Sequence, residues 1–335
     1  MIFSGGGMPK VSVVLPVYNA EKYIERTVKT LLCQTLNDVE FIIIDDGSTD
    51  NSLKIITCII DSYPEKESRI KLISRENRGV AVTRSQGIAL ATGDYIAFLD
   101  SDDWVEPDWL ELMYLKAIDD NSDAVVCDYF NEHAKGAVRI YQAASHSNDL
   151  CVSNLFMDKI SNCNWNKMVA RKLFLENDIT FNSKYSLGED FLVTFKIFMN
   201  AKKISFIQKP LYHYNLTNLS SLAKNVTEQS LDGLLGVVND TSMILSEKGK
   251  LEKFDYELKY FKNKVRNIFI MQSIGNQLRK ERALQLFNES NLLIKLGTAP
   301  KALWIVYHIK KFNATYLYKL FDFVLILNER IKYGR

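Results

Sequence analysis

The sequence has few cysteines, and their arrangement indicates neither a disulfide framework nor a metal site. Their number, five, is odd, and no two of them have the C-x-x-C spacing. Disulfide cross-links and a structural zinc site are therefore both disfavoured. Free thiols in a reducing compartment fit better, which predicts a cytoplasmic protein. The five are Cys33, Cys58, Cys127, Cys151 and Cys163.

Long apolar runs and a secretory signal are also absent. A membrane-spanning helix needs about 18 or more consecutive apolar residues, and no window of the sequence reaches that length. The first residues carry no cationic segment, and their apolar stretch is too short for a signal peptide. Because a Gly5–Gly7 run precedes Met8, we expect residues 1–8 to be a leader or an artificial linker outside the fold.

The sequence shows no overall excess of charge of one sign. Its net charge is +2 over 335 residues, with 47% apolar and 24% charged residues, which is typical of a globular protein and argues against a disordered one. The balance conceals an asymmetry. Residues 262–335 hold fourteen Lys and Arg against four Asp and Glu, a net charge of +10, so the first 261 residues carry −8. This predicts two regions with different partners.

Strand and helix patterns alternate in the first part of the chain. Short β-rich runs predict buried strands at residues 11–17, 39–44, 70–73 and 95–99. A helical pattern follows each of the four, with Ser48 or Asp50 capping the second helix, Gly93 closing the helix over 80–90, and Pro107 opening the fourth. This order predicts right-handed βαβ units and a parallel sheet. Residues 129–160 give weak signals, 209–214 suggest a late strand, and the pattern from about Asn225 is helical.

Polar side chains follow three of the predicted strands. Tyr18-Asn19 follows the first, Asp45-Asp46-Gly47-Ser48 the second, and Asp100-Ser101-Asp102-Asp103 the strand at 95–99. Ligands of open parallel sheets bind at the carboxyl ends of strands, so these groups should share one crevice. Clustered carboxylates without His or Cys favour Mg²⁺ or Mn²⁺, which commonly bind protein carboxylates together with substrate phosphates. The crevice is therefore predicted to bind a nucleoside diphosphate, although either acidic motif alone could serve only as a turn or a helix cap.

Two segments carry a family resemblance. Residues 11–52 (VSVVLPVYNAEKYIERTVKTLLCQTLNDVEFIIIDDGSTDNS) and 76–104 (ENRGVAVTRSQGIALATGDYIAFLDSDDW) resemble family 2 glycosyltransferases with the GT-A fold, of the type that builds bacterial surface glycans and capsules. The resemblance resumes at residues 164–167 and 187–190. It implies a GT-A catalytic domain over 9–222, with a nucleotide-binding half at about 9–128 and an acceptor half at about 129–222. A basic helical region would cover 223–335.

The resemblance also implies roles for individual residues. Tyr18 would lie against the nucleotide base with Pro16 shaping its loop, and Asp46 would accept a hydrogen bond from a uracil N–H in a turn supported by Asp45. Asn77 and Arg84 would contact the nucleotide sugar and the diphosphate. Asp100-Ser101-Asp102 matches the DXD motif, so Asp102 would bind Mn²⁺ or Mg²⁺ and Asp100 would touch the ribose or the metal. Asp190 matches the catalytic base.

The implied reaction transfers a sugar from a UDP-sugar to an acceptor hydroxyl, on a glycan or a lipid-linked glycan, with inversion at the anomeric carbon. Two features depart from the family pattern. The usual Ala-Arg-Asn of the third helix is Thr83-Arg84-Ser85 here, and the R/Q-x-x-R-W motif of processive synthases is missing. A non-catalytic nucleotide-sugar-binding module is the alternative. A sugar nucleotidyltransferase fits poorly, because residues 16–20 lack its glycine-rich loop.

Five further residues are candidates for acceptor binding or for support of the site. Each also has a structural interpretation: Glu189 as a first-turn helix residue, Trp165 as a packed indole, Lys167 as a solvated surface residue, His213 as a structural histidine and Trp104 as a core residue.

The basic C-terminal segment mixes aromatic and cationic residues. Over 300–335, this composition predicts either a helix at an anionic membrane surface or a helical hairpin packed on the catalytic domain or a second subunit. A peripheral position on the inner face of the cell membrane and a homo-oligomer both remain open. No nucleic-acid partner is expected, because no recognition motif is present.

Overall fold

The computed structural model describes residues 8–218 and 226–333, with side chains up to residue 327. The chain divides into two compact units, residues 1–225 and 226–335. The leader predicted over 1–8 lies outside the described residues except for Met8. So does the predicted boundary between 222 and 223.

The first unit is built on one sheet, which has nine strands within the described residues, in the order β3-β2-β1-β4-β8-β6-β9-β5, with β7 paired to β6. The first four strands of this order are mutually parallel, as predicted. The second half is mixed, because β8 pairs antiparallel with both β4 and β6, whereas β6 and β9 run parallel. The strands are β1 (Val11–Val17), β2 (Val39–Asp45), β3 (Ile70–Ser74), β4 (Tyr95–Phe98), β5 (Trp104–Val105), β6 (Ala124–His133), β7 (Gly136–Ile140), β8 (Lys167–Ala170) and β9 (Ile204–Asn215).

The helices of the first unit connect these strands and cover the sheet. In chain order they are α1 (Ile24–Leu32), α2 (Ser52–Asp61), a 3₁₀ turn (Pro64–Arg69), α3 (Val80–Leu90), α4 (Trp109–Asp119), α5 (Asn148–Phe156), α6 (Arg171–Glu176) and α7 (Glu189–Asn200). β1 and β2 are buried along their whole length, as their continuous apolar sequences predict. The core packs α1, with Ile24, Val28 and Leu31, against this part of the sheet.

Three details at helix ends differ from the sequence predictions. α2 begins at Ser52 after Asn51, so neither Ser48 nor Asp50 is its cap residue. α4 begins at Trp109, two residues beyond Pro107. Gly93 does not end α3, which closes at Ala91; instead a Cβ at Gly93 would lie 2.8 Å from the backbone nitrogen of Ser12. The glycine is there because β1 passes too close for any side chain.

The second unit is helical, as predicted from the absence of β-rich runs. Its helices are α8 (Glu228–Glu247), α9 (Asp255–Met271), α10 (Gln277–Gln285), α11 (Asn291–Lys295), α12 (Lys301–Lys311) and α13 (Tyr318–Tyr333), with 3₁₀ turns at Asn288–Ser290 and Thr315–Leu317. A fully buried Arg266 organises its interior by donating to the carbonyl oxygens of Ala283 and Leu284 at 2.9 and 3.0 Å. Within the described residues, no helix is long and apolar enough to span a bilayer.

The contact between α3 and β1 provides a test of the packing. A Cβ at Gly87 would lie 2.2 Å from Cγ1 of Val14, in the middle of the buried strand. We therefore expect Gly87→Ala to lower the free energy of unfolding by about 1–3 kcal/mol, measured by urea denaturation. Ala89→Ser, on the exposed side of the same helix, should change it by less than about 0.5 kcal/mol. Equal stability of the two variants would contradict this packing.

Candidate active site

The order of the sheet brings the three polar strand ends together. β2, β1 and β4 are neighbours, so the residues that follow them lie at one edge. The first two groups are joined by hydrogen bonds, since the backbone N–H of Asn19 donates to Oγ of Ser48 at 3.0 Å and the Asn19 side chain accepts from the N–H of Thr49 at 2.8 Å. Tyr18 is 51% exposed at this edge, whereas Pro16 is buried within β1.

The two aspartates at the end of β2 fix the loop after β3. Asp45 accepts from the Ser74 hydroxyl at 2.8 Å and the Ser48 N–H at 3.2 Å. Asp46 accepts from the backbone N–H groups of Arg78 and Gly79 at 2.9 and 2.8 Å.

The same loop requires the glycine that follows the two aspartates. Gly47 has a φ of +78°, and a Cβ on it would lie 2.8 Å from the backbone nitrogen of Asn77. Arg75 forms an ion pair with Asp46 and donates to the Thr83 hydroxyl at 2.8 Å, which connects the loop to α3. Asn77 itself is exposed beside Gly47.

Arg84 is the central cation of the site. It projects from α3 and is 7% exposed, with Nη2 2.7 Å from Asp100 and Nη1 3.0 Å from Asp190. Oε1 of Glu189 lies 4.0 Å from Nη1. Burial alone would lower the pKa of Arg84, but the charges of Asp100 and Asp190 outweigh it and raise that pKa. The guanidinium therefore stays charged and holds the end of β4 against the start of α7.

Glu189 and Asp190 begin α7 in a partly buried position. Burial, followed by the charge of Asp190, raises the pKa of Glu189 to about 7. Burial also raises the pKa of Asp190, although the nearby Arg84 opposes the change. The amide of Asn164 donates to Oδ1 of Asp190 at 2.6 Å. Asp190 is thus held in one orientation by a cation and an amide.

The acidic turn after β4 is anchored through Asp103. This residue is fully buried, accepting from the Tyr212 hydroxyl and the backbone N–H of Asn215, both at 2.7 Å. Tyr212 also accepts from the backbone N–H of Asp100 at 3.1 Å. The turn leaves Asp102 beside Asn218, whose amide donates to it at 2.8 Å. Burial, reinforced by the charge of Asp100, raises the pKa of Asp102.

Trp104 lies in a stack of side chains next to this turn. Its ring stacks on His213 with centroids 5.0 Å apart, and the Arg26 guanidinium lies 3.2 Å from the Trp104 centroid. His213 also stacks on Phe130 at 5.1 Å. Both imidazole nitrogens are occupied, since Nδ1 is 2.7 Å from Glu132 and Nε2 is 2.9 Å from Glu106. These contacts favour the structural interpretation of His213.

Trp165 and Lys167 are buried behind the site. Trp165, 5% exposed, stacks on Tyr212 with centroids 4.2 Å apart. Lys167, 1% exposed, donates to the carbonyl oxygens of Ser161 and Cys163 at 2.8 and 2.5 Å. Burial lowers the pKa of Lys167. These contacts favour a role for Trp165 and Lys167 in supporting the site over a role in lining the acceptor pocket. The structural interpretation of Lys167 as a solvated surface residue is wrong, because its side chain is buried.

Several residues of the site were missed from the sequence alone. Asp103 stood in the acidic motif, but nothing local distinguishes a buried anchor from a ligand. The others come from distant elements and were given no role, although Asn164 lies in the segment 164–167 that carries the family resemblance. They are Arg26, Arg75, Asn164, Tyr212 and Asn218.

Arg84 links the acidic motif after β4 to the acidic start of α7, on a half-parallel sheet flanked by helices, and this arrangement is the one expected of the GT-A class. The family model for glycosyl transferase family 2 matches residues 12–176. EpsH of Bacillus subtilis (strain 168), named as a glycosyltransferase, is 33% identical over 262 residues, covering 76% of this chain and 74% of that protein. The chain belongs to family 2 of the glycosyltransferases, and it is a transferase enzyme.

Solved structures confirm the predicted fold. Staphylococcus aureus TarS 1–349 in complex with UDP superposes with a TM-score of 0.69 at 22% identity, covering 97% of this chain and 92% of that one. TarS has also been solved with UDP-GlcNAc. The mannosyltransferase PcManGT of Pyrobaculum calidifontis, in complex with GDP-Man and Mn²⁺, gives a TM-score of 0.56 at 15% identity, covering 95% and 87% of the two chains.

The raised pKa of Glu189 predicts a pH-dependent stability. The folded protein keeps this proton up to about pH 7, whereas an unperturbed glutamate releases it near 4.5. The folded state binds more protons in that window, so this residue's contribution to the free energy of unfolding decreases as the pH rises. Glu189→Gln should therefore be more stable than the wild type at pH 7.5, by at most about 3 kcal/mol, and the difference should vanish near pH 4.

Thermal unfolding at a series of pH values measures this difference. Glu176→Gln, which removes the same charge from an exposed position, is the matched control and should show no such trend. A wild type more stable than Glu189→Gln at pH 7.5 would contradict the assigned environment.

Proposed function

We propose that this enzyme transfers a sugar from a UDP-sugar to an acceptor hydroxyl by metal-assisted single displacement with inversion at the anomeric carbon. The observation that carries the proposal is the Arg84 cluster. It brings the DXD residue Asp100 and the candidate base Asp190 within 3.0 Å of one guanidinium, although they lie 90 residues apart in the sequence. In this proposal, the donor diphosphate and the acceptor hydroxyl meet beside this guanidinium.

The complexes of TarS with UDP and UDP-GlcNAc support a uridine donor. In this proposal Tyr18 lies against the base, with Pro16 shaping the loop and Asn77 near the nucleotide sugar. Asp46 accepts from the uracil N–H. A carboxylate has about four acceptor positions. Three are used here, by Arg75, Arg78 and Gly79, which leaves one on Oδ2. Asp45 keeps that turn in place through Ser48 and Ser74.

The acidic turn fits a divalent cation that a diphosphate helps to hold. Asp102 is partly buried near Asp100 and, within the described residues, forms no ion pair. Over residues 8–218 and 226–333, no group of three His, Cys, Asp or Glu side chains is placed to bind a metal. Mg²⁺ typically uses one or two carboxylates together with substrate phosphates. Asp102 and Asp100 would hold Mn²⁺ or Mg²⁺, which would offset charge on the leaving diphosphate.

Asp190 is the proposed general base. Asn164 and Arg84 fix its carboxylate, and its raised pKa makes it a stronger base than a free aspartate. As the acceptor oxygen attacks the anomeric carbon, Asp190 takes the hydroxyl proton while the bond to the UDP oxygen breaks with its electron pair. Arg84 stabilises the charge that develops on the diphosphate. Glu189 helps to position the acceptor.

The acceptor enters, in this proposal, beside Trp104. A cleft of about 650 Å³ there is lined by α1 and by the ends of β6 and β9, including Arg26, Glu132 and Asn215. The amide of Asn215 donates a hydrogen bond to the carbonyl oxygen of Asp102 at 3.1 Å, so the cleft borders the acidic turn. His213, Trp165 and Lys167 support this wall. A glycan or a lipid-linked glycan is the proposed acceptor, used by a cytoplasmic enzyme at the inner face of the membrane. A homo-oligomer is compatible with this location, and no nucleic-acid partner is proposed.

Replacing the base should separate catalysis from binding. We expect Asp190→Asn to lower UDP release about 10²–10⁴-fold across a panel of UDP-sugars, because proton transfer by a positioned group contributes about that much. Its UDP affinity, measured by calorimetry, should change little. Asp178→Asn is the matched control, because it makes the same substitution at an exposed position, and it should retain full turnover. Near-wild-type turnover of Asp190→Asn would exclude the role of Asp190.

Removing the metal should abolish donor turnover. With Mn²⁺ present, the wild type should release UDP from one donor of the panel, and both EDTA and Asp102→Ala should reduce that release at least about 10²-fold. Asp119→Ala, an exposed aspartate on α4, is the control. Full activity in EDTA would contradict metal assistance. UDP binding without turnover of any donor or acceptor would favour the binding module.

A further inference from the structure

Helix α13 is apolar on two opposite faces. Tyr318, Phe321 and Leu325 are buried in the second unit. Leu320, Phe323, Val324 and Leu327 follow a spacing of three and four residues, so they form one continuous stripe on the other side. This stripe is exposed, with Leu320 at 59% and Phe323 at 57%. A helix with apolar residues on two faces can bury both of them only if each face meets apolar surroundings.

A second exposed stripe lies on α12. Trp304, His308 and Phe312 are spaced four residues apart, with ring centroids 4.1 and 6.2 Å apart in succession. Phe312 and Tyr316, in the connection to α13, are 71% and 76% exposed. Trp and Tyr are the side chains that concentrate at the boundary between lipid and water. The exposed stripes of α12 and α13 therefore have both an apolar part and an interfacial part.

The charges around the exposed stripes are mainly positive, although Lys310 lies 3.8 Å from Glu281 of α10. Four exposed lysines lie on or beside them: Lys301, Lys310, Lys311 and Lys319. Among the described side chains of residues 301–327, one is acidic, that of Asp322. It forms an ion pair with the buried Lys280, whose Nζ lies 2.7 Å from Oδ1 of Asp322. The region from 262 onward has a net charge of +10. A second copy meeting this face would bring the same positive charge against it, whereas an anionic surface would neutralise it.

We propose that the exposed stripes of α12 and α13 insert into the interface of an anionic lipid membrane, with the helices in the membrane plane. This extends the proposed peripheral location by naming its surface and the charge of its lipid. The lysine stems can lie along the apolar face with their ammonium groups among the lipid phosphates. The inference rests on the second unit alone and does not require the proposed chemistry.

Flotation of the full-length protein with phosphatidylcholine vesicles, with or without 30% phosphatidylglycerol, tests the proposal. We expect the protein to float with the anionic vesicles and much less with the neutral ones. Changing Lys310, Lys311 and Lys319 to Glu should weaken binding at least about fivefold per lysine. Raising the salt from 0.1 to 1 M should also weaken it, because the Debye length falls from about 10 to about 3 Å.

The apolar contribution has its own matched pair of variants. Leu320→Ser/Phe323→Ser/Leu327→Ser should reduce vesicle binding at least about tenfold. Leu115→Ser/Leu175→Ser/Leu278→Ser, which removes three exposed leucines outside α12 and α13, should bind as the wild type. Circular dichroism and UDP release without vesicles show that each variant is folded and separate a failure here from a failure of the proposed reaction.

Equal vesicle binding by the two triple variants would overturn the proposal. So would a wild type that binds no vesicles. A stable dimer in light scattering that dissociates only in the α13 variant would show that a second copy covers the face instead.

Discussion

The site depends on one cation shared by two carboxylates from distant parts of the chain. Arg84 reaches Asp100 with one terminal nitrogen and Asp190 with the other, so a single side chain aligns the end of β4 with the start of α7. Its Nε atom is buried without a partner in the described structure. If Arg84 were removed, the three carboxylates at this partly buried place would repel one another. They belong to Asp100, Glu189 and Asp190. The acidic motifs and the basic helix α3 are thus parts of one electrostatic unit.

The parallel half of the fold was predictable from the sequence, because short segments of the chain define its strands and helices. β1 and α3 have the predicted bounds, because a continuous β-rich run and a helical run ended by a break define each without tertiary information. β6, β8 and β9 were not predicted as a set. Their pairing joins segments up to about eighty residues apart, with a register shift after Cys127, and no periodicity within a short window encodes that. Gly93 was assigned to a helix end because the close approach of Ser12 is likewise invisible locally.

The candidate site divides in the same way. Residues at strand ends were found because the topology of a parallel sheet brings such ends together wherever they occur in the sequence. Asn164 and Tyr212 orient Asp190 and the acidic turn, but neither was given a role. An amide, even one within the resembling segment 164–167, and a phenol do not show from the sequence which group they will bind. Lys167 shows the opposite error: lysine is normally solvated, but carbonyl oxygens replace its water here. The residue type predicts the usual exposure of a side chain, and Lys167 departs from that usual exposure because of its particular neighbours.

The stack around Trp104 has a consequence for selectivity. His213 and Arg26 each lie against the indole, and two groups cannot share one side of a ring, so both of its faces are covered. A pyranose ring could lie on this tryptophan only by displacing the imidazole or the guanidinium, and displacing the guanidinium forfeits about 0.5–1 kcal/mol of cation–π attraction. If the acceptor binds beside Trp104, as proposed, a sugar that also offers Arg26 a negative charge would offset this loss, and a neutral sugar would not. The enzyme therefore covers the aromatic faces of Trp104 with its own side chains, those of Arg26 and His213.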